Sequence, residues 1–516
     1  MESTKQLKLG AVLSYASIVV NIIIGIVYTP WMISSIGRAD FGLYTLAMSV
    51  ISLFVFDFGL SAAVTRFIAK YIAEGNQKKT NDCLGLVYRM YFTMDIVLLL
   101  ILTILFFFIP TIYTELTLEE IEKFKIIYVF AAFYSVLSFP FIPVNGILTA
   151  HEKFVQFRIC DIVQKVVIVI AMTACLLLGY GLYALVLVNA VAGLLAIMLK
   201  LFFIKKDTTQ SISWNYFNKV EFREILGYSG WVTVIALAQR CIFNVAPSIL
   251  GALSGSTAIA ILGIAITLEG YTFTFASALN GMFLPRVSKI VAQGDGNVLP
   301  FMIKVGRLQI YIISLIVFGV ICFGKEFIHL WVGDDFSESY LCAVFIIVPS
   351  LLHLPQDIGT QTVYAKNEVK CLSVIYTGMA IVNLVLATLL APKFGALGIC
   401  ISVFVAYLIR TIGMDILFYK RLQIDILAFF KQTYIRMLPV LGLILFLGIL
   451  MNKFLPLQGI VGFTLKVVLF AFVYILLIVT CAMNKDEKAL FITPITKIMK
   501  KLFILVVSIL AINTAC

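Results

Sequence analysis

Lys70-Tyr71-Ile72-Ala73-Glu74-Gly75-Asn76 returns 219 residues later as Lys289-Ile290-Val291-Ala292-Gln293-Gly294-Asp295. Three further landmarks recur in the same order. Leu9-Gly10 and Pro30 pair with Leu226-Gly227 and Pro247 at a shift of 217. Pro140 and Ala150 pair with Pro355 and Ala365 at 215, and Tyr180-Gly181-Leu182 pairs with Phe394-Gly395-Ala396 at 214. Proline and glycine are common in membrane helices, so one pair alone carries nothing. Four pairs in one order at nearly one shift define an internal repeat whose drift is that of loop insertions.

The repeat is written in apolar stretches near span length, which is about 20 residues. They fall roughly at 9–34, 41–66, 84–109, 125–149, 160–179, 181–204, 226–252, 257–284, 305–324, 341–364, 371–391, 395–419, 436–452 and 458–483. The run from Leu9 to Ser34 is too long for a cleaved signal peptide and reads as the first span. The expected fold is an all-α integral membrane protein with about 14 transmembrane helices. Six spans return a chain to its starting side, so the two copies are parallel repeats related by an axis along the membrane normal. The expected units are six-helix lobes at 1–210 and 211–420, with an accessory pair of spans and a tail at 421–516. A duplicated bundle pair suits alternating access.

Composition agrees. Of 516 residues 62% are hydrophobic and 13% charged, against about 25% charged in soluble domains. With the N-terminus inside, and with charges near span ends assigned to the adjoining loop, the 39 Lys and Arg residues sort as 29 inner, 6 outer and 4 within spans. Outer loops are acidic, with Glu115, Glu119, Glu120 and Glu122 in one and Asp334, Asp335 and Glu338 in another. This is the positive-inside pattern, and it puts both termini on the cytoplasmic side. The net charge of +12 is then orientation rather than a nucleic-acid footprint. None of the ten cysteines forms a CxxC or Cys/His cluster, and no GxxxxGK[ST] is present, so no metal, redox centre, nucleotide or other cofactor is expected. The tail, Met499-Lys500-Lys501 followed by Leu502–Ile512, is too short to span and reads as an interfacial segment.

The first two spans carry Gly37-Arg38-Ala39-Asp40-Phe41-Gly42-Leu43-Tyr44, then Asp57-Phe58-Gly59-Leu60 and Arg66-Phe67-Ile68-Ala69-Lys70-Tyr71. These runs resemble the G-x-x-x-[FY]-G-x-Y and D-[FL]-G patterns of polysaccharide or O-antigen flippases. Those belong to the multidrug/oligosaccharidyl-lipid/polysaccharide flippase superfamily. The local motif covers about the first 75 residues and the plan of six, six and two spans covers the chain. The resemblance implies a bacterial inner-membrane protein with its two bundles in a V shape. It implies outward movement of polyprenyl-pyrophosphate-linked oligosaccharide repeat units for O-antigen, capsule or exopolysaccharide. It also implies coupling to a proton or sodium gradient in some members, with membrane lipids and the polysaccharide polymerase machinery as partners. Drug extrusion and lipid II flipping are the alternatives within the superfamily. A membrane-embedded O-antigen polymerase or ligase, the alternative of another class, calls for a large catalytic outer loop, and the outer loops here run to roughly 15 residues.

Such a substrate asks for cations at the pyrophosphate and for amides, hydroxyls and aromatic faces at the sugars. Ionisable residues within spans are rare and usually face a cavity. Here they are Asp57, Arg89, Asp95, Arg240, Glu269, Asp357, Arg410, Asp415 and Lys466. Arg240, with Asn244 one turn on, reads either as a pyrophosphate ligand or as half of a structural ion pair with Asp57 or Glu269. Polar stripes run through Ser14, Ser17, Asn21 and Tyr28, through Asp57, Ser61 and Thr65, and through Glu269, Thr272 and Asn280. They line a cavity or bond helices to one another. Asp57, Glu269 and Asp357 are the ion-coupling candidates. Arg66, Lys70, Arg286 and Lys289 form either a cytoplasmic entry patch or plain anchoring charge. Arg410 and Asp415 read as snorkelling side chains.

Overall fold

The computed structural model describes residues 2–55, 60–208, 210–214, 216–277, 287, 290–291, 298–366 and 368–488. Among these every regular element is helical. The first half holds α1 (Glu2–Ile36), α2 (Arg38–Phe54), α3 (Leu60–Ala73), α4 (Gln77–Ile112), α5 (Leu118–Ser138), α6 (Pro143–Ala150), α7 (Phe154–Leu177) and α8 (Leu182–Asp207). The second holds α9 (Lys219–Phe243), α10 (Ala246–Leu253), α11 (Ser256–Ser277), α12 (Leu299–Val332), α13 (Ser339–Ile347), α14 (Asp357–Ala365) and α15 (Val369–Lys420). Two more follow, α16 (Leu438–Phe454) and α17 (Gly459–Leu477). Large apolar side chains such as Phe107, Phe133, Leu389 and Val461 are more than 60% exposed. In a multi-pass membrane protein that is the lipid-facing surface.

Among the described residues, eleven helices are long and apolar enough to cross a membrane, or twelve if the bent pair Ile426–Ile435 and Leu438–Phe454 counts as one span. Two local features account for the difference from the expected fourteen. The expected spans 371–391 and 395–419 are both present, as two helices that meet at a kink at Gly395 (φ 54°, ψ −133°) inside the run α15, and are counted as one. The expected span 41–66 is carried by two shorter helices, α2 and α3, on either side of 56–59. The apolar tail beyond 488 lies outside the described residues.

The repeat landmarks fall at matching places in the element order. α1 is 35 residues long and contains Pro30. Its counterpart Lys219–Leu253 is also 35 residues, broken just before Pro247 at the start of α10. Gly37 and Gly255 follow these helices with φ of 83° and 81°, a left-handed region that glycine enters without a Cβ clash. This fifth pair was legible in the sequence and adds to the four landmarks. Pro140 sits in the 3-10 turn Phe139–Phe141 between α5 and α6, and Pro355 in the 3-10 turn Leu354–Gln356 just before α14. Ala150 and Ala365 end the helices that follow. Gly181 caps α8, where α15 has its break at Gly395. Most of the Lys289–Asp295 copy lies outside the described residues.

The motif of the second span is explained by packing. Gly42 lies so close to the partner helix that a Cβ there would stand 2.1 Å from the Ser256 carbonyl oxygen. Arg38 sits over the Phe336 ring at 5.5 Å, and Phe41 meets the same ring edge-on at 6.3 Å. Asp40 pairs with Lys123 at 3.3 Å. The Tyr44 hydroxyl accepts from Asn189 Nδ2 at 3.0 Å.

The last helix, α17, and the segment after it are fastened to α12 by two ion pairs. Lys466 Nζ lies 2.8 Å from Glu326. Arg307 Nε lies 2.5 Å from Glu487, with both side chains about 95% buried. Lys466, a candidate from the span list, is thereby a structural charge.

Candidate functional site

At the end of the bundle that carries Gly37, Tyr113 and Gly255, residues from the two halves of the chain meet. The Ser256 hydroxyl donates to Glu120. Thr114 Oγ1 donates to the Ala252 carbonyl at 3.2 Å, and the Tyr113 hydroxyl to Ser248 Oγ at 3.3 Å. Trp331 Nε1 donates to the Ile26 carbonyl at 2.6 Å.

Beneath this closed end lies a cavity of about 520 Å³ between α1, α2, α7 and the α9–α11 segment. Its polar lining includes Asn21, Tyr28, Tyr44, Thr45, Ser49, Lys165, Asn244 and Thr267. Among the described residues Lys165 is its one charged group, and no carboxylate lines it. Two sequence candidates, Asn21 and Asn244, thus converge from opposite halves of the chain. Lys165 escaped the sequence reading. The signal was there, a lysine inside the expected span 160–179, but near the inner boundary it resembles an anchoring charge.

A second cavity of about 400 Å³ belongs to the second half of the chain. Glu269 from α11, Asp357 from α14 and Arg410 from α15 share it. Arg410 is not a snorkelling side chain. It is 6% exposed, its Nη2 donates to the Tyr376 hydroxyl at 2.7 Å, and its guanidinium lies 5.0 Å from the Tyr376 ring centre. The physical reason is the kink at Gly395, which folds α15 back so that Arg410 in its second helix faces Tyr376 in its first. Asp357 Oδ2 accepts from Gln361 at 3.1 Å. His353, missed as a lone histidine, stacks on Tyr407 with ring centres 4.7 Å apart.

Phe243 lines both cavities. Arg240, three residues before it, reaches α2 instead, where its Nη1 donates to the carbonyl of Ser52, a residue of the first cavity. Ser61 is not brought to either cavity. Its hydroxyl donates to the Ile142 carbonyl at 3.4 Å, and Thr65 donates to Gly146 O at 3.2 Å, so this part of the stripe bonds helices together. Lys70 is exposed and lies 4.0 Å from Glu74. Asp57, Asn280, Arg286, Lys289 and the side chains of Ser14, Ser17 and Arg66 lie outside the described residues.

The arrangement is a membrane-spanning helical bundle closed at one end, with a polar cavity between the two halves of its chain. The model of the polysaccharide biosynthesis protein family matches residues 7–291, and the chain belongs to that family. The fold is similar to that of the lipid II flippase MurJ in an inward closed conformation, with TM-score 0.69, 13% identity, and coverage of 91% of this chain and 97% of that one. It is also similar to an inward-facing multidrug resistance MATE transporter, with TM-score 0.65, 13% identity, and coverage of 82% and 99%. It is similar as well to a transporter from Pyrococcus furiosus described as having a binding pocket of reverse polarity, with TM-score 0.60, 12% identity, and coverage of 82% and 95%. No curated protein matches the chain.

Proposed function

We propose that the protein moves polyprenyl-pyrophosphate-linked oligosaccharide repeat units, destined for O-antigen, capsule or exopolysaccharide, outward across the bacterial inner membrane. The observation that carries this reading is the first cavity. It pairs one cation, Lys165, with amides and hydroxyls and holds no carboxylate among the described residues. That lining suits a phosphorylated sugar and disfavours a cationic drug.

The working units are the lobes 1–210 and 211–420, with 421–516 as an accessory hairpin and tail. The positive-inside pattern assigns the closed end to the outside and both termini to the cytoplasm. Alternating access then opens the first cavity to each side in turn. The second cavity, with two carboxylates around one arginine, is the place for a coupling proton or sodium ion. Arg240 ties α9 of one lobe to α2 of the other and brings a cation to the cavity edge.

The test is surface polysaccharide in a flippase-deleted host carrying this chain with its cognate glycosyltransferases. Restored polymer, lost with Lys165→Gln at equal membrane level, is the expected result. Restoration of lipid II transport instead of polymer would replace this reading by the alternative within the superfamily.

A further inference from the structure

The first cavity has a side door. A groove of about 480 Å³ runs between α1 and α7 and shares Ile24, Tyr28 and Val169 with the cavity. The cavity is amide- and hydroxyl-lined, whereas the groove adds Ile23, Val27 and Trp31, all apolar in body. Ile23 is 56% exposed and Val27 68% exposed, so the groove opens on the surface that faces lipid. Polar and apolar compartments therefore meet along one helix, at Tyr28. The Tyr28 hydroxyl is buried and has no hydrogen-bond partner among the described residues. A buried donor left without a partner is unfavourable, so its position invites an acceptor oxygen from a ligand.

We propose that the α1–α7 groove holds the polyprenyl chain while the pyrophosphate and sugars occupy the cavity, with Tyr28 at the junction between them. Resting on the flippase reading, this deepens it by locating the path of the hydrocarbon. The occupant is an amphipath because the two compartments are continuous and opposite in polarity. An apolar drug would have no use for Lys165, and a free sugar phosphate no use for the groove. The residues involved lie in the later half of α1 and of α7, nearer the closed end. On the topology proposed above, the chain then leaves into the outer leaflet, and the groove is the exit route.

The experiment places a photo-crosslinking amino acid at Val27 and, as control, at Phe107, which is 73% exposed on the lipid-facing surface of α4. Membranes containing the full chain receive polyprenyl-pyrophosphate-linked oligosaccharide radiolabelled in its sugar. Label captured at Val27 several-fold above Phe107 is expected. The groove-filling variants Val27→Trp and Val169→Trp should lower flipping several-fold in proteoliposomes, whereas Phe107→Trp leaves it unchanged. Equal capture at the two positions, or capture of bulk phospholipid alone at Val27, overturns the proposal. Should the wild type flip the labelled substrate while both tryptophan variants match its rate, the groove assignment falls and the flippase reading stands. Should the wild type itself fail to flip this substrate, both fall together.

Discussion

The Ser256 hydroxyl donates a hydrogen bond to the Glu120 carboxylate, joining the start of α11 to the first turn of α5. The same carboxylate accepts from the Thr117 backbone N–H at 2.9 Å and so also fixes the start of its own helix. One half-buried group therefore serves both as a cap and as a clasp between the halves of the chain. Hydrogen bonds to charged groups contribute about 1.5–3 kcal/mol. Glu120→Ala should thus shift the closed end toward opening by about tenfold or more. The measurement is the labelling rate of Thr45→Cys, a residue of the first cavity, from outside intact cells. An unchanged rate would show that Glu120 caps its helix without holding the end shut.

Gly42 gives an independent handle on that contact. A Cβ at this position meets the Ser256 carbonyl oxygen at 2.1 Å, and backbone cannot swing aside as a side-chain tip does. Gly42→Ala should force α2 and α11 apart and lower the melting temperature of the purified protein. Overpacking of this kind typically costs about 1–3 kcal/mol. A glycine without this contact, Gly378, should tolerate alanine.

The fold was legible because spans are written as apolar runs and because proline and glycine punctuate them twice over. Pro140 and Pro355 mark equivalent 3-10 breaks for that reason. The division between 371–391 and 395–419 was legible from Gly395, and the structure turns the chain there with a glycine at positive φ rather than with an open loop. At the site, Asn21, Asn244, Glu269 and Asp357 were found because polar side chains are conspicuous within spans. Which of them share a cavity was not legible, since that depends on how helices from the two halves pack. Ser61 and Thr65 show the cost of this. They have the same helical spacing as a cavity stripe, yet their hydroxyls go to carbonyls of 142 and 146.

Arg240→Ala should abolish lipid-linked oligosaccharide export while the protein still inserts. The guanidinium bonds to the Ser52 carbonyl at the rim of the cavity, so its loss removes both a cation and a tie between α2 and α9. Arg240→Lys should keep part of the transport, because charge survives while the fork geometry is lost. Surface polymer in a flippase-deleted host, with membrane levels compared, reads this out. Normal polymer from a well-expressed Arg240→Ala variant would remove Arg240 from the mechanism.

Coupling should depend on the second cavity. Glu269→Gln keeps the shape of the side chain and removes its charge and its capacity to release a proton. In proteoliposomes the variant should lose stimulation of flipping by an imposed proton or sodium gradient while retaining downhill movement. Asp357→Asn should act in the same direction, since both carboxylates share the cavity with Arg410. Gradient-stimulated flipping by either variant at the wild-type rate would take the coupling ion away from that carboxylate.

The ion pair between Arg307 and Glu487 makes the attachment of the segment after α17 sensitive to acid. Burial alone would raise the Glu487 carboxyl's pKa, but hydrogen bonds from Arg307 and from the Asn484 backbone N–H outweigh it and hold the group below its ordinary range. A folded-state pKa below the unfolded one contributes stability that is present above the unfolded value, about 4.3, and is lost as pH falls through the folded value. Between about pH 6 and pH 3 the wild type should therefore lose more thermal stability than Glu487→Gln, which has no carboxylate to titrate. Arg307→Ala is the harsher change. It leaves Glu487 buried with the Tyr311 hydroxyl, 3.0 Å away, as a side-chain partner. Breaking one side of a buried pair typically costs about 3–5 kcal/mol, whereas replacing both sides with apolar residues is often close to neutral. The double variant Arg307→Met/Glu487→Leu should accordingly melt near the wild-type temperature and show the shallower acid profile of Glu487→Gln. If the double variant proved no more stable than Arg307→Ala, the loss would lie in the bonds of Arg307 to Gln432 and Ala482, which both variants remove, rather than in an unpaired Glu487 charge.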